Sequence, residues 1–359
     1  MQRKSETNTS WHTEQDRKNI LKMREVLDTL PSFCRQYFRS IDDVSGARTK
    51  LGYAYDLRTF FNFLHENNSA LKDIPVTDLP VTVLDQITRE DIEEYVEYIT
   101  LYHRDDRELT NEEHGKARKL SALRSLYQYF FKTELIRTNP AMLVNMPKIH
   151  EKAIIRLEPN EVARMLDEVE QGDKLTKTQM KYHHITRNRD VALITLLLGT
   201  GMRVSECVGI DISDIDFDTC GIKIRRKGGY ETIIYFGEEV EDALRNYLTT
   251  RREIVPQAGH EDALFLSMQN RRITVRAVQN LVKKYAQTVT TLKKITPHKL
   301  RSTFGTNLYR ETGDIYLVAD VLGHKDVNTT RRHYAAIEDA NRRKAARVVR
   351  LRENNDNDS

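Results

Sequence analysis

The stretch 296–334 is predicted to form three short helices in close succession, and these helices constrain what the C-terminal half of the chain can fold into. The first helix is predicted to begin at Pro297, because the preceding threonine suits an N-cap and proline loses no hydrogen bond at the first helical position. The second, over 315–322, is predicted to end at Gly323, since glycine readily adopts the left-handed conformation that ends many helices. The third is predicted to carry the tyrosine that closes the stretch.

These helices would bring side chains of complementary chemistry together. His298 and Arg301 lie three residues apart, so they share one face of the first helix near its positively polarised end. His324 follows the glycine that ends the second helix, and Tyr334 lies on the third. Each residue alone is more often a packing or surface residue than a functional one, so the joint pattern carries the prediction. Two imidazoles, a guanidinium and a phenol could hold a phosphodiester and attack it.

Two basic residues upstream extend this pattern. Arg203 lies just past a glycine-rich turn in the string GTGMRVSE, at the start of a predicted helix. Lys227 lies at the tip of the tight glycine turn that ends the predicted strand in IKIRRKGGY. Glu206 follows Arg203 by one helical turn, and we expect it to orient an arginine or a histidine rather than to react.

The basic residues and the tyrosine together resemble the catalytic signature of the tyrosine recombinases, also called phage-integrase-type enzymes. The resemblance rests on the strings GTGMRVSE, TPHKLRSTFGTNLY and LGHKDVNTTRRHY and on the RKGG turn; it covers 157–340 and, more loosely, the helical region before it. The signature residues, in chain order, are Arg203, Lys227, His298, Arg301, His324 and Tyr334. The chain is most similar to the Xer type, especially the single-recombinase form of Gram-positive bacteria. Ser302 departs from the pattern, since many relatives carry a second histidine there, but that position is not an essential one.

The resemblance implies a site-specific recombinase that cuts and rejoins DNA strands through a 3′-phosphotyrosyl intermediate. Tyr334 would be the nucleophile, and its phenol needs help because its ordinary pKa is about 10. His298 would accept the phenol proton or orient the phosphate. Lys227 would protonate the departing 5′ oxygen as a general acid.

Charge on the phosphate would be neutralised by arginine. Arg203 and Arg301 would each fork onto non-bridging phosphate oxygens, with His324 donating a hydrogen bond to the same oxygens. No cofactor and no metal are expected, because the two arginines replace a metal clamp and the covalent intermediate conserves the phosphodiester energy. The implied partner is double-stranded DNA with inverted half-sites, bound by a homotetramer on two DNA sites.

Composition limits the class of protein further. The 359 residues suffice for two domains with separate cores. Charged residues make up 31% of the chain but the formal net charge is only +4, so DNA binding must come from local basic patches. Cys34, Cys207 and Cys220 have neither metal-ligand nor disulfide spacing and suit a reducing cytoplasm. The longest apolar run, 191–198, is too short to span a membrane, so we expect a cytoplasmic protein with no membrane partner.

The predicted fold is mainly α. An N-terminal helical bundle that binds DNA, over 1–147, is expected to precede a mixed α/β catalytic domain, mostly helical with a small antiparallel sheet, over 157–352. A linker is predicted at 148–156, after the proline-containing exit from the bundle, and a disordered acidic tail at 353–359. The principal helices are predicted at 14–30, 47–67, 88–101, 116–131, 162–169, 189–199, 238–252 and 275–288.

The polar face of the helix 116–131 is the candidate DNA-binding surface of the N-terminal half. A charged loop is predicted just before it, over 104–113. The basic residues of the face and its continuation are Lys116, Arg118, Lys119, Arg124 and Lys132. Such a face could equally be only solvated, and both interpretations stay open.

The first part of the C-terminal half is less regular. Residues 172–189 are predicted to form a basic loop or broken helix that contains the pair His183 and His184. A metal site is not expected there, because no cysteine, aspartate or glutamate ligands converge on the pair. Strands at 222–224 and 232–236 are predicted to pair as a hairpin.

Residues 337–351 are predicted to form a terminal helix with a narrow apolar face in otherwise basic surroundings. It could dock onto a neighbouring protomer, as a helix lies in a groove, or it could contact DNA. The sequence leaves these two alternatives open.

Other functions compete with the recombinase prediction. A type IB topoisomerase uses nearly the same chemistry as a monomer, but the two-domain layout and the terminal helix favour recombination. A catalytically silent DNA-binding protein or excision factor would lack one of the signature residues, and each of them is present. Chromosome dimer resolution and integration or excision of a mobile element remain alternatives. The lack of a separate arm-binding domain before the helical half favours the Xer-like role.

Overall fold

The chain divides into two compact units, Met1–Lys152 and Ala153–Ser359, and the division falls inside the segment 148–156 that is predicted as the linker. The predicted mainly α fold, with a helical N-terminal unit and a C-terminal unit of helices and a small antiparallel sheet, is confirmed. The computed structural model describes residues 11–104, 107–150, 155–226, 229–324 and 327.

The N-terminal unit is a helical bundle built around its third helix. Its α-helices are α1 (Trp11–Leu27), α2 (Cys34–Ser40), α3 (Ala47–Asn67), α4 (Val83–Gln86), α5 (Arg89–Tyr98) and α6 (Glu113–Lys132). Helix α3 packs against α1 and α6, and its aromatic residues, such as Phe60 and Phe61, are fully buried in the core as their helical spacing predicts. Thr88 caps α5, because its Oγ1 accepts the Asp91 backbone N–H at 3.2 Å while Asp91 Oδ2 accepts the Thr88 N–H at 2.7 Å.

A hairpin lies between α5 and α6, so the charged loop predicted over 104–113 is wrong. Strands β1 (Leu101–Arg104) and β2 (Arg107–Thr110) pair antiparallel, with Tyr102 opposite Leu109. The Tyr102 ring is buried 5.6 Å from the Tyr98 ring, measured between centroids. This tertiary contact stabilises strands that are too short and too charged to show a clear apolar alternation.

The C-terminal unit surrounds one long central helix. Its α-helices are α7 (Pro159–Gln171), α8 (Lys177–Thr200), α9 (Val204–Gly209), α10 (Glu238–Glu253), α11 (Val275–Val289), α12 (Pro297–Thr312) and α13 (Ile315–Leu322). Helix α8 packs against α7, α10 and α12. The sheet has the order β3 (Ile215–Asp216), β4 (Gly221–Arg225), β5 (Glu231–Tyr235), and each neighbouring pair is antiparallel. Along the part of the chain that the structure describes, no helix is both long and apolar enough to cross a membrane.

Helix α8 begins earlier than the sequence analysis places it, and the basic loop or broken helix predicted over 172–189 is wrong. A capping box begins the helix: Gln179 Oε1 accepts the Thr176 N–H at 2.9 Å, and Thr176 Oγ1 accepts the Gln179 N–H at 3.3 Å. His183 is buried on this part of the helix and donates from Nε2 to the Val169 carbonyl at 2.8 Å. A tertiary contact and a cap therefore hold a stretch whose basic composition favours a loop.

Candidate active site

The turn between α8 and α9 positions Arg203. Gly201 ends α8 with a φ of +61°, and Arg203 is the N-cap residue of α9. Glu206 accepts two hydrogen bonds from Arg203, one from its backbone N–H at 2.8 Å and one from Nη1 at 2.8 Å. The Glu206 side chain is 4% exposed and that of Arg203 is 37% exposed. A buried carboxylate thus orients a guanidinium that reaches the surface, which fits the orienting role predicted for Glu206.

Arg301 lies near the start of α12, and its guanidinium is buried between the ends of two other helices. Its Nη1 donates to the Gly201 carbonyl at 2.7 Å, and its Nη2 donates to the Leu322 carbonyl. The last carbonyls of a helix lack intrahelical partners and carry partial negative charge, so they can compensate a guanidinium that is only 4% exposed. Arg301 therefore links the end of α8 to the end of α13.

Three consecutive carbonyls at the end of α13 each accept a hydrogen bond from a different arginine. These arginines come from three separate segments of the C-terminal unit. The pairs are Val321 with Arg226 Nη2 at 3.0 Å, Leu322 with Arg301 Nη2, and Gly323 with Arg203 Nη2 at 3.2 Å. Arg203 and Arg301 are predicted site residues that the fold brings together here. The sequence analysis does not include Arg226, and its only signal is its place next to Lys227 in the RKGG turn.

The two predicted histidines are each close in sequence to part of this arginine cluster: His298 precedes Arg301 by three residues, and His324 follows the three carbonyls. His324 directly follows Gly323, whose φ of +61° ends α13, and its backbone N–H donates to the Ala319 carbonyl at 2.9 Å. The His324 side chain is half-buried. His298 lies in the first turn of α12 and is exposed. Arg301 is thus turned inward and His298 outward, although the two are three residues apart on one helix.

Lys227 and Tyr334 lie outside the described residues, as do the helix predicted to carry Tyr334 and the terminal helix 337–351. The described chain ends at Arg226 on one side of the lysine and resumes at Gly229 on the other. The structure therefore describes the site of the arginines and histidines, and the roles of the lysine and the tyrosine stay predictions.

Several other tyrosines are unsuited to act as nucleophiles, because burial raises the pKa of their phenols. A higher pKa leaves less phenolate at neutral pH. These tyrosines are Tyr37, Tyr95, Tyr127, Tyr247 and Tyr285. Burial and, next, the charge of Glu206 also raise the pKa of Cys207, so this thiol stays protonated beside the site. Within the described residues, no three His, Cys, Asp or Glu side chains are arranged to hold a metal ion.

Two of the predicted DNA-binding residues contact a buried carboxylate in the N-terminal unit. Lys119 Nζ donates to Asp56 Oδ1 at 3.0 Å, and Arg118 Nη1 donates to Asp56 Oδ2. Asp56 and Lys119 are both buried, and the contacts join α3 to α6. Lys119 is therefore part of the interior of the bundle rather than of its polar face.

The remaining candidates of this face differ in exposure. Arg124 donates from Nε to the Ala141 carbonyl at 3.0 Å and from Nη2 to the Val144 carbonyl, so it holds the segment that follows α6. Lys116 is half-buried, and Lys132 is exposed. Lys132 thus has the exposure that a phosphate contact requires.

Comparison with known proteins gives concordant matches. Residues 156–341 match the phage integrase family. Tyrosine recombinase XerC of Caldanaerobacter subterraneus subsp. tengcongensis is 33% identical over 320 residues, which cover 86% of this chain and 83% of XerC. Tyrosine recombinase XerS of Streptococcus agalactiae serotype III is 28% identical over 343 residues, which cover 86% and 93%. The crystal structure of XerH site-specific recombinase bound to palindromic difH substrate, a post-cleavage complex, is similar in fold, with a TM-score of 0.65 at 19% identity over 93% of this chain and 89% of XerH.

Proposed function

Because the chain belongs to the phage integrase family and is a tyrosine recombinase, an enzyme that cuts and rejoins DNA strands, we propose that Tyr334 is its nucleophile and that the scissile phosphate binds at the end of α13. The observation that carries the proposal is the convergence of Arg203 and Arg301 on the last carbonyls of α13, directly before His324. Guanidinium groups held by backbone carbonyls need no reorganisation to meet an anion.

Arg203 is the arginine of this pair that can meet a phosphate directly. A guanidinium has five N–H donors, and those of Arg203 that do not meet the Gly323 carbonyl or Glu206 can bind non-bridging oxygens. Arg203 reaches the surface, so its free edge can meet DNA directly. Arg301 is buried behind this surface, where it binds the Gly201 and Leu322 carbonyls and so holds the ends of α8 and α13 together. Removing one preorganised donor of this kind costs about 10²–10³ in rate, and we expect a loss of that size for either arginine.

The proposed cleavage step balances without an added reactant. Tyr334 Oη forms a bond to phosphorus while the bond from phosphorus to the 5′ oxygen breaks. His298 accepts the phenol proton, and Lys227 donates a proton to the departing oxygen. His324 donates a hydrogen bond to a non-bridging oxygen. Rejoining reverses these steps, so no nucleotide is consumed, and the arginines neutralise charge as metal ions do in other phosphoryl transfers.

We infer that the substrate is double-stranded DNA with inverted half-sites, bound by a homotetramer on two DNA sites. The palindromic substrate of XerH supports this inference, since a palindrome is matched by protomers related by two-fold symmetry. In this proposal the domain 1–147 binds DNA, with Lys132 as a phosphate contact, and the linker 148–156 joins it to the catalytic domain 157–352. The residues 353–359 are an acidic tail.

The biological role that fits best is Xer-like, the resolution of chromosome dimers. The names of the XerC and XerS relatives support it. Integration or excision of a mobile element is the alternative. Mapping the DNA that the protein cuts across the genome of its source organism separates the two, because a single chromosomal site is expected for the first role and the ends of an element for the second.

The nucleophile is tested with a nicked substrate that traps the covalent protein–DNA adduct. Tyr334→Phe should abolish the adduct and leave DNA affinity within about threefold of wild type, since only the hydroxyl is removed. Tyr316→Phe is the matched control, because Tyr316 is a 71% exposed tyrosine on α13 that should not affect adduct formation. An adduct formed by the Tyr334→Phe protein would refute the assignment. Cleavage should also persist in excess EDTA.

A further inference from the structure

Arg226 lies where the hairpin of β4 and β5 meets the end of α13. It directly follows the last residue of β4, and its backbone closes the turn. Its N–H donates to the Tyr230 carbonyl at 2.8 Å, and its carbonyl accepts the Gly229 N–H at 3.1 Å. The backbone of Arg226 is therefore fixed to both sides of the turn.

The side chain of Arg226 fixes the same turn to α13. Nη2 donates to the Val321 carbonyl at 3.0 Å, across 95 residues of chain. The guanidinium also lies directly against Gly323, so that a Cβ added at Gly323 would overlap Nη1 and Cζ and lie 2.9 Å from Nε. Gly323 has a left-handed φ of +61°, so both its conformation and the approach of Arg226 require glycine there.

Lys223, a basic residue on β4, forms a different kind of contact. Lys223 is exposed and forms a 3.8 Å ion pair with Asp214, which lies just before β3. Arg226 instead has a buried Nε that lacks a hydrogen-bond partner among the described residues. Such a donor is unfavourable in itself, so the contact with α13 must hold the guanidinium in place.

We propose that Arg226 is a positioning residue that holds Lys227 at the active site. Adjacent Cα atoms are only about 3.8 Å apart, so fixing Arg226 to the end of α13 restricts where the next residue can lie. The same end of α13 accepts hydrogen bonds from Arg203 and Arg301 and precedes His324. In this proposal the end of α13 sets the position of Lys227, the proposed general acid, relative to the proposed phosphate-binding site at Arg203 and Arg301. This inference rests on the proposed role of Lys227.

The test compares two nicked substrates that differ in one atom. In one the leaving group is the normal 5′ oxygen, and in the other it is sulfur, which needs no proton to depart. Arg226→Ala should slow cleavage of the oxygen substrate about 10- to 100-fold, part of the 10²–10⁴ that a general acid supplies, and should cleave the sulfur substrate within about threefold of wild type. Lys223→Ala, on the neighbouring strand β4, should change neither rate.

A double variant adds a readout that a merely structural role would not give. If Arg226 acts through Lys227, Arg226→Ala should cause no further loss in a Lys227→Ala background. Arg226→Lys should give a smaller loss on the oxygen substrate than Arg226→Ala, because it keeps one donor for the Val321 carbonyl. Arg226→Lys also keeps the inference testable if the Arg226→Ala protein does not fold. Rapid cleavage of the sulfur substrate by Arg226→Lys would show that its active site is intact.

The outcomes separate this inference from the proposed function. Equal loss on both substrates for Arg226→Ala and Arg226→Lys, with rescue of Lys227→Ala by sulfur, would overturn the positioning role and leave Lys227 as the general acid. Failure of sulfur to rescue Lys227→Ala would overturn the proposed role of Lys227 and the inference with it. Additive losses in the double variant would likewise show that Arg226 acts independently of Lys227.

Discussion

Gly201 offers a sharp test of how packing at the ends of the helices supports the site. Its φ is +61°, and a Cβ there would overlap the Phe304 ring and lie 3.0 Å from Leu322 Cδ2. Gly313 ends α12 with a similar φ of +67°, but a Cβ there would meet no atom within 4 Å. The two glycines thus have the same backbone requirement and different surroundings, so alanine at each position separates strain from crowding.

The expected losses of stability follow from these surroundings. A left-handed non-glycine residue costs about 1–2 kcal/mol, and alanine regains about 0.4–1 kcal/mol by restricting the unfolded chain. Gly313→Ala should therefore destabilise the C-terminal unit by about 0–1.6 kcal/mol. Gly201→Ala should cost the same backbone strain and, in addition, about 1–3 kcal/mol of unfolding free energy for overpacking against Phe304. It should also slow cleavage, because Phe304 and Leu322 belong to the helices that hold Arg301.

Hydrogen exchange of the α8 and α12 amides measures the opening free energy of this unit separately from the N-terminal unit. Single-turnover cleavage of a nicked substrate measures the expected loss of cleavage rate. Gly201→Ala should lose more opening free energy than Gly313→Ala and more cleavage rate. Equal losses for the two variants in both assays would refute the argument that packing at Gly201 supports Arg301.

Three further predictions concern Asp190, Glu158 and the segment after Ala340. Asp190→Asn should destabilise the C-terminal unit by about 3 kcal/mol in the same exchange assay, because the buried carboxylate accepts from Tyr285 at 3.0 Å and pairs with Lys284 at 3.4 Å; no loss would contradict this. Burial raises the pKa of Glu158, but the hydrogen bonds and charges of its arginine partners outweigh burial and lower the pKa below its ordinary value. The contribution of Glu158 to stability is thus present above about pH 4.3 and is lost as the pH falls through the lowered pKa. The free energy of unfolding should therefore fall less steeply with acid in Glu158→Gln than in the wild type. An unchanged pH profile would count against this role of Glu158. Truncation after Ala340 should preserve half-site binding but remove cooperative binding to a full site, whereas weaker half-site binding with a flatter salt dependence would indicate phosphate contacts instead.

The elements with strong local signals were predictable from the sequence. Helix α3 has the predicted bounds, Ala47–Asn67, because its apolar residues recur at helical spacing. Helix α12 begins at Pro297 and α13 ends at a left-handed Gly323, because a proline start and a glycine stop act within one turn of chain. The capping box of α8, with Thr176 and Gln179, was a usable signal that its basic composition concealed.

The N-terminal basic face shows where local pattern fails. Spacing along α6 groups Arg118, Lys119 and Arg124 as one polar face, but it carries no information on partners from other helices. In the fold, Asp56 of α3 binds the first two, and the carbonyls of Ala141 and Val144 bind the third. Basic residues that look equivalent in sequence thus differ in burial even when they bind the same group: the side chain of Lys119 is 6% exposed and that of Arg118 is 52% exposed.

At the candidate active site, the sequence by itself determined which chemistry is available. It supplied arginines, histidines and a glutamate at the ends of predicted helices, because caps, turns and helical spacing depend on neighbouring residues only. Only the tertiary structure decided that three arginines meet three consecutive carbonyls of α13. The contacts of Arg203 and Arg226 with α13 cross 120 and 95 residues of chain, respectively. No local propensity specifies such pairings. They arise because the last carbonyls of a helix have no intrahelical partners and a buried guanidinium is costly unless its N–H groups are hydrogen-bonded.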